Sequence, residues 1–346
     1  MRRLLANLAL LAVSLAVAGG LAELAMRLRF GSPGHWRFPQ EYYEPDPEIG
    51  LHLRPGQRAY THDEVVETNT QGLRDREHPR ERPAGTRRLL ALGDSQTFGD
   101  GLALEETWPK QLETRLAREE PARRWEVLNA GISGTDTWQH ARLLERLSGA
   151  YELDGVVLAF YVNDVAVRPQ RVTPVAGRTN TTTKRIAYAL KRSALAAGVL
   201  QARLLLPSER ARLGMDREDR IVTGEPDRLL ERGWADVRRS LAEMKQRCDA
   251  LGVGFLVAVL PRRDQVYSER PATAYQERVT RIATDLGIPV LDLLEPLRAA
   301  WSEHGSALFI PWDGHDSALA NEVIARELAG PVRALAAPPA GSAAGP

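Results

Sequence analysis

Residues 88–99 read RLLALGDSQTFG. The apolar run Leu89-Leu90-Ala91-Leu92 has the length and character of a buried strand, and it delivers Gly93-Asp94-Ser95 to a turn that leads into a helix through Thr97 and Phe98. A serine there lies beside a helix N-terminus, whose free N–H groups and dipole favour negative charge. Gly-Asp-Ser is also ordinary turn chemistry. Whether Ser95 is a turn residue or a nucleophile depends on what the rest of the chain brings to it.

The same pattern continues outward. Residues 125–128, 155–161, 254–260 and 288–291 are apolar runs of strand length, separated by helix-patterned stretches at 105–118, 137–147, 229–251 and 272–286. Such alternation predicts an α/β fold: a three-layer α/β/α domain with a central parallel sheet of about five strands. Ligands of these sheets bind at the carboxyl ends of the strands. Strand two ends Asn129-Ala130-Gly131, where glycine lets backbone approach a ligand and offers a bare N–H. Strand three ends Tyr161-Val162-Asn163-Asp164, which puts an amide donor at the same rim. Three donors on adjacent strand ends are what an oxyanion hole requires.

A base is then needed. Four of the seven histidines (His35, His52, His62, His78) precede the first of these strands, His140 falls on a helix and His304 in a polar loop. His315 stands beside a carboxylate in Pro311-Trp312-Asp313-Gly314-His315-Asp316, before a final helix over 317–335. Asp313 can hold its imidazole in the right tautomer, and His315 can take the proton of Ser95. The G-x-S-x-G elbow of another large hydrolase fold is absent.

GDS with Ser95, the glycine of NAG at Gly131, the ND pair with Asn163, and the D-x-H of Asp313 and His315 together resemble the four blocks of the SGNH, or GDSL-like, hydrolase family. The likeness covers residues 87–328, and Asn69-Thr70-Gln71-Gly72-Leu73-Arg74-Asp75 is similar to a segment found upstream in its bacterial membrane-anchored members. The resemblance implies a flavodoxin-like sheet and a Ser-His-Asp triad. It also implies an oxyanion hole formed by the Ser95 and Gly131 N–H groups with the Asn163 side chain, and no metal or organic cofactor. Gln96 replaces the name-giving Leu, and Tyr161 stands where Gly is frequent. Asp313-Gly314-His315 is one residue shorter than the commoner D-x-x-H, a variant associated with relatives that add or remove acetyl groups on exopolysaccharides, and Asp316 is the alternative orienter.

Composition bounds the remaining choices. The 346 residues carry a formal net charge of +1, so no whole-chain field recruits nucleic acid. Cys248 is the only cysteine, which excludes an internal disulfide and a cysteine-rich metal site; it reads as a small buried hydrophobe. After Arg2 and Arg3, residues 4–22 are uncharged, a helix of about 28 Å that spans a bilayer. We read residues 1–29 as a signal-anchor, with a cleaved signal peptide as the second reading. Residues 30–85 read as an irregular connector with a small hairpin, 86–335 as the hydrolase domain, and 336–346 as a disordered tail.

Within the domain, 165–225 reads as a basic helical insertion: residues 165–208 carry eight Lys or Arg and no acid. It is a packed excursion with a solvated basic face, or a contact for anionic lipid or glycan. Trp108, Trp138, Tyr161 and Trp312 lie near the four stations, to stack on sugar rings or to pack the core.

The expected function is a serine esterase acting on an O-acyl ester, such as O-acetyl on an envelope carbohydrate or another acylated small molecule. Its body is expected to face the periplasm or cell exterior. An O-acetyltransferase for a surface polysaccharide shares the same triad, and a non-catalytic glycan-binding or assembly protein is the alternative from another class.

Overall fold

A computed structural model of the protein describes residues 1–33, 42–61, 64–165, 182, 186, 189–190, 192–202 and 215–336. Five parallel strands form the central sheet: β5 (Thr86–Gly93), β6 (Arg124–Gly131), β7 (Gly155–Phe160), β8 (Gly254–Val259) and β9 (Val290–Asp292). Their order is β6-β5-β7-β8-β9, so the chain reverses its direction of winding between β5 and β7. In open α/β sheets such a switch point opens a crevice at the carboxyl ends. The register aligns these ends, with Gly93 opposite both Gly131 and Ala159.

Alternation along β5 divides the core. Leu90 and Leu92 join one buried cluster, with Leu144 of α4 (Thr137–Ser148), Leu241 of α7 (Arg228–Leu251) and Val279 of α9 (Ala274–Asp285). Leu89 and Ala91 join the other, with Leu112 of α3 (Trp108–Glu119), Leu297 of α10 (Leu294–His304) and Leu328 of α11 (Ala318–Leu335). Period-two side chains of a strand buried on both faces thus create the three layers. Side-chain caps set several helix starts, as Asp136 does for α4 and Asp227 for α7.

The segment read as a connector holds two antiparallel hairpins where one was expected: β1 (Tyr43–Asp46) with β2 (Gly50–Leu53), and β3 (Arg58–Thr61) with β4 (Glu64–Glu67). Tyr42, Ile49, Leu53, Val66 and Leu73 lie in the same cluster as Leu90 and Leu92, so this segment completes the domain core as well as leading into it. Helix α10 was not anticipated, nor was the short α8 (Arg263–Tyr267); α6 (Met215–Thr223) falls at the end of the segment read as a helical insertion, its charged sequence MDREDRIVT holding few apolar positions.

Helix α1 (Arg2–Phe30) is the one described helix long and apolar enough to cross a membrane, with a mean hydropathy of 2.2 over its most apolar window and none of that window buried. Of the basic insertion, α5 (Ala194–Ala202) is described, and it packs against α1. Arg192 lies just before it, whereas Arg168, Arg171, Arg178, Lys184, Arg185, Lys191 and Arg203 fall outside the described residues, as do 337–346.

Candidate active site

Gly93 ends β5, and the chain enters the short helix α2 (Ser95–Phe98) with Ser95 as its first residue. Asp94 caps this helix by accepting from the Gln96 N–H at 2.9 Å. No described residue accepts from the Ser95 N–H, which is one of the donors a helix start leaves over. A side chain at Gly93 would lie 2.1 Å from Thr97 Oγ1, and one at Gly131 would lie 2.1 Å from the Phe98 nitrogen. Both glycines are therefore demanded by the close passage of α2 over the strand ends.

Across the crevice, the loop before α11 brings His315 to the serine. Its Nε2 is 2.8 Å from Ser95 Oγ, and its Nδ1 is 2.5 Å from Asp313 Oδ1. The same carboxylate oxygen accepts from the His315 N–H at 3.0 Å, so Asp313 grips both the ring and the backbone. Asp313, rather than the alternative Asp316, meets Nδ1; the Asp316 N–H donates to Gln96 Oε1 at 3.3 Å, and Asp316 is buried. Burial pushes the Asp316 carboxyl up to about 7, with His315 pulling the other way. Burial also opposes a charge on the His315 ring. The hydrogen bond and charge of Asp313, helped by Asp100 and Asp94, outweigh it and raise the pKa to about 9.

Asn163, on the turn after β7, donates from Nδ2 to Asp94 Oδ2 at 2.8 Å, which anchors it beside the nucleophile turn. No described residue accepts from its second amide hydrogen. Asp94 is fully buried, and this burial, with the nearby Asp164, lifts its pKa to about 6.

Gly131 reaches the same rim, but its N–H donates to Asn129 Oδ1 at 3.0 Å. Three residues on, Gly134 has φ +79°, and no described residue accepts from its N–H.

Several residues that build the site were not singled out in the sequence. Asp100 holds Ser133 Oγ at 2.9 Å and stands 3.9 Å from His315 Nε2, adding a second carboxylate to the imidazole's surroundings. Arg74, almost wholly buried, donates to the carbonyls of Phe98, Gly99 and Leu102 at 2.7, 2.6 and 2.5 Å, clamping the chain just after the nucleophile turn. Its neighbour Asp75 accepts from the Asn129 N–H and pairs with the buried Lys110, each at 2.8 Å. Resemblance of the 69–75 segment was the one available signal.

Among the aromatic candidates, Trp108 is fully buried with its Nε1 on Thr97 Oγ1, so it packs the core and cannot stack on a sugar. Trp312 stacks edge-on against Phe30, and Trp138 lies under the Arg142 guanidinium. Cys248 is buried in α7, where burial lifts its thiol to about 12. Among the described residues, no group of three or more His, Cys, Asp or Glu is placed to hold a metal ion.

A hydroxyl bonded to an imidazole that is itself bonded to a carboxylate is equipped for acyl transfer. The sequence profile of the GDSL-like Lipase/Acylhydrolase family matches residues 91–316. The chain belongs to this family. Like other GDSL enzymes it is a hydrolase of ester bonds.

Solved structures similar to the chain include TesA, at 17% identity and a TM-score of 0.44, covering 72% of this chain and 99% of that one. A psychrotrophic esterase, EstA from Pseudoalteromonas sp., has 17% identity and a TM-score of 0.42, covering 72% and 97%. An acetyl xylan esterase has 14% identity and a TM-score of 0.45, covering 71% and 99%. No curated protein matches the chain.

Proposed function

We propose that this GDSL hydrolase is a membrane-anchored serine esterase that removes a short acyl group, such as acetyl, from a hydroxyl of an envelope carbohydrate. The observation that carries the reading is the unbroken chain Ser95 Oγ, His315 Nε2, His315 Nδ1, Asp313 Oδ1, with links of 2.8 and 2.5 Å. Ser95 attacks the ester carbonyl while neutral His315 takes its proton. Asp313 holds the ring in the tautomer that leaves Nε2 free to accept.

The Ser95 N–H and the second Asn163 amide hydrogen face the developing oxyanion. Because the Gly131 N–H is engaged by Asn129, we assign the third donor to the Gly134 N–H, from which no described residue accepts. The protonated imidazole then gives its proton to the departing sugar hydroxyl, and water repeats the sequence in reverse to release the acid. Asp100, 3.9 Å from Nε2, and Ser133, which donates to it, suit a hydroxyl-rich leaving group better than an alkyl chain.

Hydrolysis of p-nitrophenyl acetate tests the proposal. Ser95→Ala should lower kcat by about 10⁴-fold or more while the protein stays folded. Unchanged turnover in that variant would remove Ser95 from the chemistry. A folded wild-type protein that moves acetyl only to a sugar hydroxyl, not to water, would identify the O-acetyltransferase instead.

A further inference from the structure

Beside the loop that carries Asp313 and His315, the end of α1 builds a second feature. The two charged side chains nearest this end of the apolar span are turned inward. Glu23 accepts from Ser193 Oγ, the Ala194 N–H and the Leu195 N–H at 2.7, 2.8 and 2.8 Å, capping α5. Arg27 pairs with Glu23 at 2.7 Å and donates to the Arg192 carbonyl at 2.8 Å. What faces outward is apolar: Leu24 and Leu28 on α1, Leu195 and Val199 on α5, all exposed. The apolar surface of the span therefore continues past its last uncharged residue, up to the catalytic loop.

There the chain turns. The Gly31 carbonyl accepts from Trp312 Nε1 at 3.0 Å, and Phe30 packs edge-on against the Trp312 ring at 5.7 Å. Trp312 has φ +63°, the one positive φ among described non-glycine residues, and it immediately precedes Asp313. Phe30, Trp312, Phe309 and Trp301 line a cleft of about 260 Å³ together with Arg29 and Arg263. Unlike Arg27, neither of these arginines has a carboxylate partner among the described residues. Arg263 gives one nitrogen to the Asp313 carbonyl at 2.8 Å.

Two unpaired guanidiniums over aromatic rings, at the end of an apolar span, match a phosphodiester that carries acyl chains. Guanidinium forks bind phosphate oxygens, and aromatic rings settle at headgroup depth. We propose that this cleft binds the headgroup of an anionic phospholipid, and that the end of α1, α5 and the 311–315 loop form one surface seated on the bilayer. The catalytic loop would then lie at headgroup level. The inference rests on α1 being a retained anchor, which the intact mass of the purified protein reports separately.

The test uses the full chain carrying Ser95→Ala, so that it reads binding whatever the acyl chemistry. In a neutral detergent the protein is titrated calorimetrically with dioctanoyl phosphatidylglycerol, dioctanoyl phosphatidylcholine and inorganic phosphate. Saturable binding of the glycerol lipid is expected, at least tenfold weaker in Arg29→Gln and in Arg263→Gln, with no saturation by the choline lipid or phosphate over the same range. Arg29 is exposed at a helix end, so its variant keeps the fold, which a melting curve checks. Equal binding of the two lipids, binding of phosphate alone, no saturation at all, or unchanged binding in both variants would each overturn the proposal.

Discussion

At the residue scale the site turns on the pairing of His315 with Asp313. A resting pKa of about 9 means that His315 is mostly charged at neutral pH. An imidazolium cannot accept the Ser95 proton, so kcat/KM for p-nitrophenyl acetate should climb with pH and level off only above about 9. Asp313→Asn removes the carboxylate that raises this pKa and also frees the wrong tautomer. It should move the limb to lower pH and cut kcat by about 10³- to 10⁴-fold, whereas Asp316→Asn should leave the limb near its place. A wild-type profile flat from pH 7 upward would contradict this electrostatic picture.

That Ser95, His315 and Asp313 would meet, with Asn163 beside the same turn, was legible in sequence, because each sits in a short motif at a strand end or before the last helix. The direction of the Gly131 N–H was not, since it depends on how Asn129 turns at the end of β6. Asp100 was not legible either: nothing in Phe98-Gly99-Asp100 says that its carboxylate faces an imidazole more than two hundred positions later.

At the element scale the nucleophile turn is a problem of clearance. Helix α2 crosses the ends of β5 and β6 so closely that Gly131 touches the Phe98 backbone. Gly131→Ala cannot be absorbed by a side-chain rotation, because the obstacle is main chain. We expect it to destabilise the fold by about 2–3 kcal/mol, read from urea unfolding, and to reduce activity by displacing Ser95. An alanine variant as stable and active as the parent would show that α2 can lift without cost.

The five strands were visible as apolar runs, and their ends shifted by only a few residues. The hairpins of 43–67 were harder to see. Their pieces are four residues long and broken by Pro, Gly and charge, and their worth lies in joining the buried cluster of Leu90 and Leu92, which sequence periodicity does not carry. Helix α10 was missed for a related reason: LEPLRAAWSEH contains a proline and a weak apolar stripe.

At the scale of the whole molecule, one described apolar helix, α1, precedes an esterase body. Arginines flank the span at both ends, at Arg2 and Arg3 and at Arg27 and Arg29, so charge asymmetry does not set its orientation. An envelope substrate requires the body outside the cytoplasm. A phosphatase reporter fused after Pro346 should therefore be active in the periplasm, and the full chain should stay in the membrane fraction after an alkaline wash. A reporter that works only in the cytoplasm would refute that placement and, with it, the envelope carbohydrate as substrate.

The most direct measurement for the central claim is covalent. Wild-type protein is treated with a fluorophosphonate, which reacts with a serine only when a base activates it, and the adduct is located by peptide mass. A single adduct on Ser95, absent from His315→Ala, is the expected result. A folded wild-type protein that takes up no label, or takes it on another residue, would contradict the assignment of Ser95 as the nucleophile.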